Sequence, residues 1–308
     1  MHVFVTGATG VIGRRVVPLL IRAGHTVSAT ARSPEKRRRL EQAGARALEV
    51  DLFDADAVRR AIAGHDTIIN LATHMPSSAL KMMLPWSWKE NNRIRRQGSA
   101  TIADAALAEG VSRLIQESFA PIYVDSGDEW IDERTPVAPV RYNRTVLDAE
   151  RSAARFAASG ATGVVLRFAA LYGPDDLLRT MLAIIRKGWS PLPGSPRAFV
   201  TAVAQDDAAT AVVAALGIPS GTYNVAESEP LRRGEWVNSL ADAARLARPR
   251  FMPAWAVRIG GSTMRLLARS LRISGEKLRH AAGWAPRYRN AREAWPDVLA
   301  ALSAASIA

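Results

Sequence analysis

Short apolar runs alternate with longer amphipathic segments along the first 170 residues of the chain. The runs of strand length lie at 2–6, 26–30, 47–50, 67–70, 113–117 and 163–168. Segments such as VIGRRVVPLLIRAG, between these runs, repeat their apolar residues with helical spacing. Alternating strands and helices are typical of a parallel sheet that is covered by helices. The pattern therefore predicts an α/β fold with a doubly wound parallel sheet over residues 1–170.

The alternation loosens after residue 170. The remaining chain contains a helix near 176–187, the proline-rich loop SPLPGSP and short strands around AFVTAV and TYNVA. These signals predict a smaller C-terminal α/β lobe over residues 171–308 that mainly binds substrate, with some segments returning to the sheet.

Composition and charge narrow the classes of partner. The net charge is +12, but the densest basic run, Lys36 to Leu40, has no interleaved aromatic residues and is flanked by Glu35 and Glu41. Such a run is typical of a solvated helix face, so no nucleic-acid partner is expected. Because no apolar run reaches the length of a membrane span and no signal-peptide pattern is visible, we expect a cytoplasmic protein. With no cysteine and five scattered histidines, no metal site is predicted.

The segment TGATGVIG, residues 6–13, lies directly after the first strand and before the first helix. Glycines in this context permit a tight turn, a close backbone approach to a pyrophosphate and close packing of helix on strand, while the amides of the helix start face the phosphates. This motif predicts a Rossmann-type dinucleotide site. Its predicted members are Gly7, Thr9, Gly10, Val11, Ile12 and Gly13.

The end of the second strand indicates which dinucleotide is preferred. An acid at this place binds the adenosine ribose of NAD, whereas a basic residue accommodates the 2′-phosphate of NADP. Here the strand ends TVSATARS, without an acid, and Arg32 stands just past it. NADP is therefore predicted, with NAD as the alternative.

The spacing TGxxGxxG resembles that of the extended short-chain dehydrogenase/reductase family, whose members include NAD-dependent epimerases and dehydratases, and the resemblance covers nearly the whole chain. It implies adenine contacts from Asp51 and Leu52 in EVDLFD. It also implies cofactor contacts from NLAT, through Leu71, Ala72 and Thr73, and from Phe168 in LRFAALYGP, beside the nicotinamide. Homodimers are common in the family, so a homodimer is a further implication.

The resemblance also implies a catalytic serine, tyrosine and lysine, and here the chain departs from the family. Tyr142 in RYNRTVLDAE matches the tyrosine of the YxxxK motif at the apparent start of a helix, but Val146 replaces the lysine. Ser118 lies at or next to the serine position, while the closest fit places Phe119 at the usual hydroxyl. A tyrosine with an ordinary pKa of about 10 is phenolate in only about one molecule in a thousand at neutral pH. Tyr142 is thus better suited to donate a proton than to accept one.

These residues predict an NADP-dependent oxidoreductase with Tyr142 as proton donor. Its expected substrate is a small molecule, a partly apolar carbonyl compound or alcohol. Two alternatives stay open. One is a non-redox isomerase, lyase or cyclase of the same fold that uses Glu117, at the end of the fifth strand, or Asp125 as acid and base. The other is a non-catalytic regulator that binds NADP. The loop at 74–90, with Met75, Met82, Met83, Trp86 and Trp88, predicts either an apolar wall over the substrate or a packing surface.

Overall fold

A computed structural model describes residues 1–76, 81, 84–259 and 261–304 of the chain. The strands are β1 (His2–Thr6), β2 (Thr26–Thr30), β3 (Arg46–Leu48), β4 (Thr67–Asn70), β5 (Arg113–Phe119), β6 (Trp130–Ile131), β7 (Thr162–Phe168), β8 (Ala170–Tyr172), β9 (Phe199–Val200), β10 (Ala202–Ala204), β11 (Gly221–Val225), β12 (Leu231–Arg232) and β13 (Arg272–Ile273). The α-helices are α1 (Gly13–Arg22), α2 (Pro34–Gln42), α3 (Ala55–Ile62), α4 (Lys89–Arg93), α5 (Ser99–Ala108), α6 (Val146–Ala157), α7 (Asp176–Arg186), α8 (Gln205–Ala214), α9 (Arg233–Ala243), α10 (Ala254–Ile259), α11 (Gly261–Leu267), α12 (Glu276–Ala282) and α13 (Ala291–Ala304).

The central sheet has the strand order β11-β7-β5-β4-β1-β2-β3, and every neighbouring pair is parallel. The strand order reverses between β1 and β4, and ligands of such sheets bind beyond the carboxyl ends of the strands at this point. The predicted Rossmann-type doubly wound fold is confirmed. The predicted strands at 2–6, 26–30 and 67–70 have the observed bounds, while β3 ends at Leu48 and β5 runs on to Phe119.

Two apolar layers cover the sheet because its strands are apolar on both faces, as buried parallel strands are. One layer contains Val5, Val16 and Ala208 and joins the sheet to α1 and α8. The other contains Phe4, Ile102 and Phe156 and joins the sheet to α3, α5 and α6.

A third cluster surrounds Trp236 and Trp295, whose rings are 4.8 Å apart, between α7, α9 and α13. This cluster forms the centre of the C-terminal part of the chain. The strand β11 and the helix α8, although they follow residue 170, belong to the sheet and its cover. The division into residues 1–170 and 171–308 stays a prediction.

A single run of helix from Lys89 to Ala108 contains a π-helical turn at Ile94–Gly98 between α4 and α5. Such turns rotate the following side chains and occur frequently at functional sites. Arg95 lies on this turn and is buried. The helix ends before Gly110, whose positive φ of 66° is the left-handed conformation that closes many helices.

Candidate functional site

The glycine-rich turn lies where the strand order reverses. Gly7 has a φ of +66°, and a Cβ atom there would lie 2.3 Å from the carbonyl oxygen of Leu71. A Cβ atom on Gly13 would lie 2.2 Å from the carbonyl oxygen of Gly7, so α1 begins against the turn itself. The amide of Gly10 donates to the Gly7 carbonyl over 2.9 Å, and Gly10 is exposed. This turn therefore needs glycine at two places and leaves its third open to a ligand.

The start of α1 is not closed by a side chain. Ile12 precedes the helix and makes no side-chain cap. The amides of Arg14 and Arg15 already donate to the carbonyls of Gly10 and Ile12, so within the described chain the amides left for an anion are those of Val11, Ile12 and Gly13. Val11 is exposed and Thr9 is partly exposed at the same edge. The predicted phosphate-binding residues thus lie together, and their geometry fits a dinucleotide pyrophosphate.

Asn70, at the end of β4, holds the backbone next to the glycine turn, Gly7–Gly13, which we call the cradle. Its Oδ1 accepts from Thr6 Oγ1 over 2.5 Å and its Nδ2 donates to Gln116 Oε1 over 2.8 Å. The amide of Ala72 also donates to Asn70 Oδ1, and that of Leu71 donates to the Thr6 carbonyl. Leu71 and Ala72 are buried and Thr73 is partly exposed beside the glycine turn.

Arg32 is exposed just past β2, and α2 begins two residues later at Pro34. Among the residues that the structure describes, no carboxylate pairs with Arg32, whereas Arg37 on α2 is paired with Glu49. An unpaired guanidinium at this edge has the chemistry to bind a 2′-phosphate.

Three further predicted cofactor residues differ in their surroundings. Asp51 is exposed and accepts from the amide of Phe53 over 3.0 Å, and Leu52 is partly buried beside Gly98. Phe168 is buried in the apolar layer under α1 and α8. Its side chain is used in packing, so its contact with a cofactor stays a prediction.

Tyr142 lies in a turn, and not at the start of a helix as predicted, because α6 begins only at Val146. The Tyr142 ring packs on Trp88 with 4.6 Å between ring centroids. Val146, at the place of the family's lysine, is completely buried. That position belongs to the core in this chain and supplies no cation to the tyrosine.

Burial raises the pKa of Tyr142 to about 12, and the positive charges of Arg95 and Arg269 oppose the rise only in part. Desolvation disfavours the phenolate more than the two cations favour it. At neutral pH Tyr142 is therefore a phenol, which is a proton donor.

Glu117 is paired with Arg95. Arg95 Nη2 donates to Glu117 Oε1 over 2.9 Å; the Arg95 side chain is buried and that of Glu117 is largely buried. The guanidinium holds one oxygen of Glu117 and offsets its charge, so the role of Glu117 as acid and base stays a prediction without support from this contact. Asp125, the other predicted candidate, is exposed and accepts from the amide of Gly127 over 3.1 Å.

Four buried polar atoms around this pair have no partner within the described part of the chain: Arg95 Nε, Glu117 Oε2, Asn91 Nδ2 and Asn143 Nδ2. Asn91 precedes Arg95 by one helical turn, and Asn143 follows Tyr142 directly. Buried polar groups are nearly always hydrogen-bonded in folded proteins, by protein or by ordered water. These atoms belong to Arg95, Glu117 and residues close to Arg95 and Tyr142 along the chain, and they have hydrogen-bonding capacity left for water or a ligand.

Ser118 is buried, and its Oγ donates to Glu150 Oε1 over 2.5 Å. Glu150 in turn holds Arg167 on β7 through two hydrogen bonds. The hydroxyl is thus engaged in a structural network, and the catalytic role of Ser118 stays a prediction without support from these contacts.

The predicted apolar wall is described only in part. Met75 and Trp86 are exposed and Trp88 is buried against Tyr142. Met82 and Met83 lie outside the described residues.

Arg269, after α11, was missed in the sequence because no motif connects it with Tyr142.

The described part of the chain contains neither a membrane-spanning helix nor a metal site. No helix there is both long and apolar enough to cross a bilayer. No group of histidine and carboxylate side chains there has the arrangement of a metal site.

Comparisons with known proteins extend this picture. The model of the NAD dependent epimerase/dehydratase family matches residues 3–226. The chain is 30% identical to a 3-diazoavenalumate denitrifying reductase from a Streptomyces species, over 97% of this chain and 99% of that protein. It is 28% identical to a 2-alkyl-3-oxoalkanoate reductase from Shewanella oneidensis, over 78% of this chain and 65% of that protein. A solved structure of MoeE5 in complex with UDP-glucose and NAD has the same fold, with a TM-score of 0.79, 23% identity and complete coverage of both chains.

Proposed function

The chain belongs to the NAD dependent epimerase/dehydratase family, and we propose that it is an NADP(H)-dependent reductase of a small or medium, partly apolar carbonyl compound. The broader prediction, an oxidoreductase of the extended short-chain dehydrogenase/reductase type, is confirmed by relatives that are named as reductases. One of those relatives is named for an oxoalkanoate, which supports a carbonyl group as the reacting centre.

The proposed direction of the reaction, reduction of the carbonyl, rests on the protonated state of Tyr142. Alcohol oxidation, which epimerases also require, needs a base to take the hydroxyl proton, whereas carbonyl reduction needs an acid. With its pKa raised to about 12 by burial, Tyr142 is ready to act as the acid. The phenolate population at neutral pH is on the order of one molecule in a hundred thousand, which disfavours the oxidative direction.

Nearby residues support proton donation by Tyr142. Trp88 packs against its ring at an interplanar angle of 44° and covers it from water. The Arg95 cation favours the phenolate that forms when the proton leaves, and Glu117 holds Arg95 in place. When bound in the Gly7–Gly13 cradle, the dinucleotide supplies the hydride. This assignment gives a proton donor without the family's lysine.

The preference for NADP rests on Arg32. We expect Arg32→Ser to raise the KM for NADPH about 10-fold to 100-fold, because a guanidinium–phosphate contact is lost, and to change the KM for NADH little. Arg38→Ser, which changes an exposed arginine on α2, serves as the control. Equal effects of Arg32→Ser on both cofactors would remove Arg32 from phosphate recognition.

The reaction is tested by the loss of NADPH absorbance with a panel of ketones. Tyr142→Phe should lower kcat about 10²-fold to 10⁴-fold. Tyr288→Phe is the matched control, because the Tyr288 hydroxyl donates to Asp297 in the C-terminal part of the chain. In the active enzyme, kcat/KM should stay level through neutral pH and fall only as pH rises toward the high pKa of Tyr142.

Three outcomes contradict the proposal. Full activity of Tyr142→Phe would exclude Tyr142 as the acid. Turnover of a substrate without NADPH consumption would favour the non-redox alternative. Tight NADPH binding without turnover on the whole panel would favour the regulator.

A further inference from the structure

Arg269 lies in a segment whose backbone is held from several sides. Arg233 Nη2 donates to the Arg269 carbonyl over 2.8 Å. The next residue, Ser270, donates through Oγ to the Gly127 carbonyl over 2.5 Å and accepts from the amide of Phe199 over 2.9 Å. The position of Arg269 is therefore fixed before any ligand binds.

The guanidinium of Arg269 is half-buried and makes one hydrogen bond within the described residues. Its Nη1 donates to the carbonyl of Tyr123 over 2.8 Å. Within the described ranges no carboxylate forms an ion pair with it, and Asp125, whose charge acts on it, is exposed. Burial lowers the pKa of Arg269, and the charge of Asp125 opposes this only in part.

Other buried arginines differ in this respect. Arg95 is paired with Glu117, Arg167 is paired with Glu150, and Arg233 donates to three main-chain carbonyls. Among the described residues, Arg269 uses one of its five N–H donors, at the Tyr123 carbonyl four residues past the end of β5. Its charge also acts on Tyr142. A guanidinium of this kind matches a carboxylate, which it binds through two parallel hydrogen bonds.

We propose that Arg269 binds a carboxylate of the substrate and that the enzyme therefore prefers keto acids over neutral ketones. This inference rests on the proposed reduction at Tyr142. A singly charged carboxylate suits the site better than a diphosphate, because Glu117 already neutralises Arg95, the other cation that acts on Tyr142.

The test compares matched acids and esters. Acetoacetate and levulinate are assayed against their methyl esters with NADPH, in the wild-type chain and in Arg269→Gln and Arg269→Lys. Glutamine at 269 keeps a donor for the Tyr123 carbonyl but carries no charge, and lysine keeps the charge but not the planar fork. Arg265→Met, an exposed arginine on α11, is the control.

We expect the wild-type chain to favour acid over ester about 10-fold to 100-fold in kcat/KM, from one charge-assisted pair. Arg269→Gln should reduce this ratio to about 1, Arg269→Lys should retain part of it, and Arg265→Met should leave it unchanged. An unchanged ratio in a folded Arg269→Gln variant would overturn the proposal. So would an Arg269-dependent preference for UDP over the carboxylates.

A binding experiment separates this inference from the proposed function. Hexanoate and methyl hexanoate are not reduced, and their binding is followed by calorimetry. Preferential binding of hexanoate that disappears in Arg269→Gln supports the carboxylate site even if no ketone is reduced. Equal reduction of acids and esters, with equal binding, supports the reductase and overturns the carboxylate site.

Discussion

Two arginine–glutamate pairs each join a helix to one of the neighbouring strands β5 and β7. They resemble each other in burial and differ in how many hydrogen bonds the carboxylate accepts. The side chains of Arg167 and Glu150 are 9% and 12% exposed, and those of Arg95 and Glu117 are 5% and 12% exposed. Glu150 accepts two hydrogen bonds from Arg167 and one from Ser118. Glu117 accepts one from Arg95, and each partner keeps an orphaned atom.

The difference teaches that burial of an ion pair does not by itself indicate function. Removing two charges from water is costly, and good geometry with additional hydrogen bonds is needed to offset it. Arg167 meets this condition: burial lowers its pKa, but Glu150 and Tyr123 raise it by more, so the net shift is upward. Arg95 and Glu117 do not meet it. The incomplete pair lies at Tyr142, where chemistry is proposed, and the complete pair lies in the structural network.

The largest expected effect is on the complete pair. Glu150→Gln should lower the free energy of unfolding by about 3–5 kcal/mol, because it leaves the Arg167 charge buried without a counter-ion. Urea unfolding measures this change. Asp148→Asn, on the same helix, is the control, since its ion pairs with Arg96 and Arg151 lie at the surface and should contribute less than about 1 kcal/mol. Equal losses in the two variants would contradict the assignment.

A third buried glutamate, Glu227, extends the comparison because its partner is a tyrosine. Tyr172 donates to Glu227 Oε1 over 2.6 Å, and burial raises the pKa of Glu227 to about 8. The folded state therefore binds more protons than the unfolded state between the ordinary pKa of a glutamate and about 8. The stability that Glu227 contributes is present at acidic pH and is lost as pH rises through that window.

We expect the difference in unfolding free energy between the wild-type chain and Glu227→Gln to change by about 2–4 kcal/mol from mildly acidic to mildly alkaline pH. The wild-type chain should lose stability relative to the variant as pH increases. Denaturant unfolding at a series of pH values measures the effect. Parallel pH profiles would show that the carboxyl does not titrate in this window.

A smaller effect on stability is expected from the incomplete pair. Glu117→Gln also leaves a buried arginine without a counter-ion, but one hydrogen bond is at stake where Glu150→Gln affects three, so the free energy of unfolding should fall by about 2–3 kcal/mol. The Arg95 charge is then no longer offset, and the pKa of Tyr142 should decrease. The alkaline limb of kcat/KM should move to lower pH. A loss of stability as large as that in Glu150→Gln would remove the distinction between the two pairs.

The smallest expected effect is that of Ser118→Ala. It deletes one of the hydrogen bonds to Glu150 and should lower stability by about 1 kcal/mol while kcat stays within about twofold. Enzyme assays and urea unfolding of the same preparation measure both quantities. A decrease in kcat on the order of 10²-fold with normal stability would instead support the predicted catalytic serine.

The sequence by itself determined the features that depend on neighbours along the chain. Apolar spacing indicated the alternating fold, and TGATGVIG predicted the glycine turn, because β1, the turn and α1 are consecutive. Arg32 was found in the same way, as the residue that follows β2.

Only the tertiary structure decided which side chains are available for chemistry around Tyr142. Glu117 on β5 meets Arg95 from the π-helical turn, and Ser118 meets Glu150 from α6. Arg269, after the end of α11, acts through its charge on Tyr142. The spacing along the chain contains no signal for such contacts, because each joins residues that are remote in sequence. The high pKa of Tyr142 likewise follows from burial, which depends on how all these elements pack together.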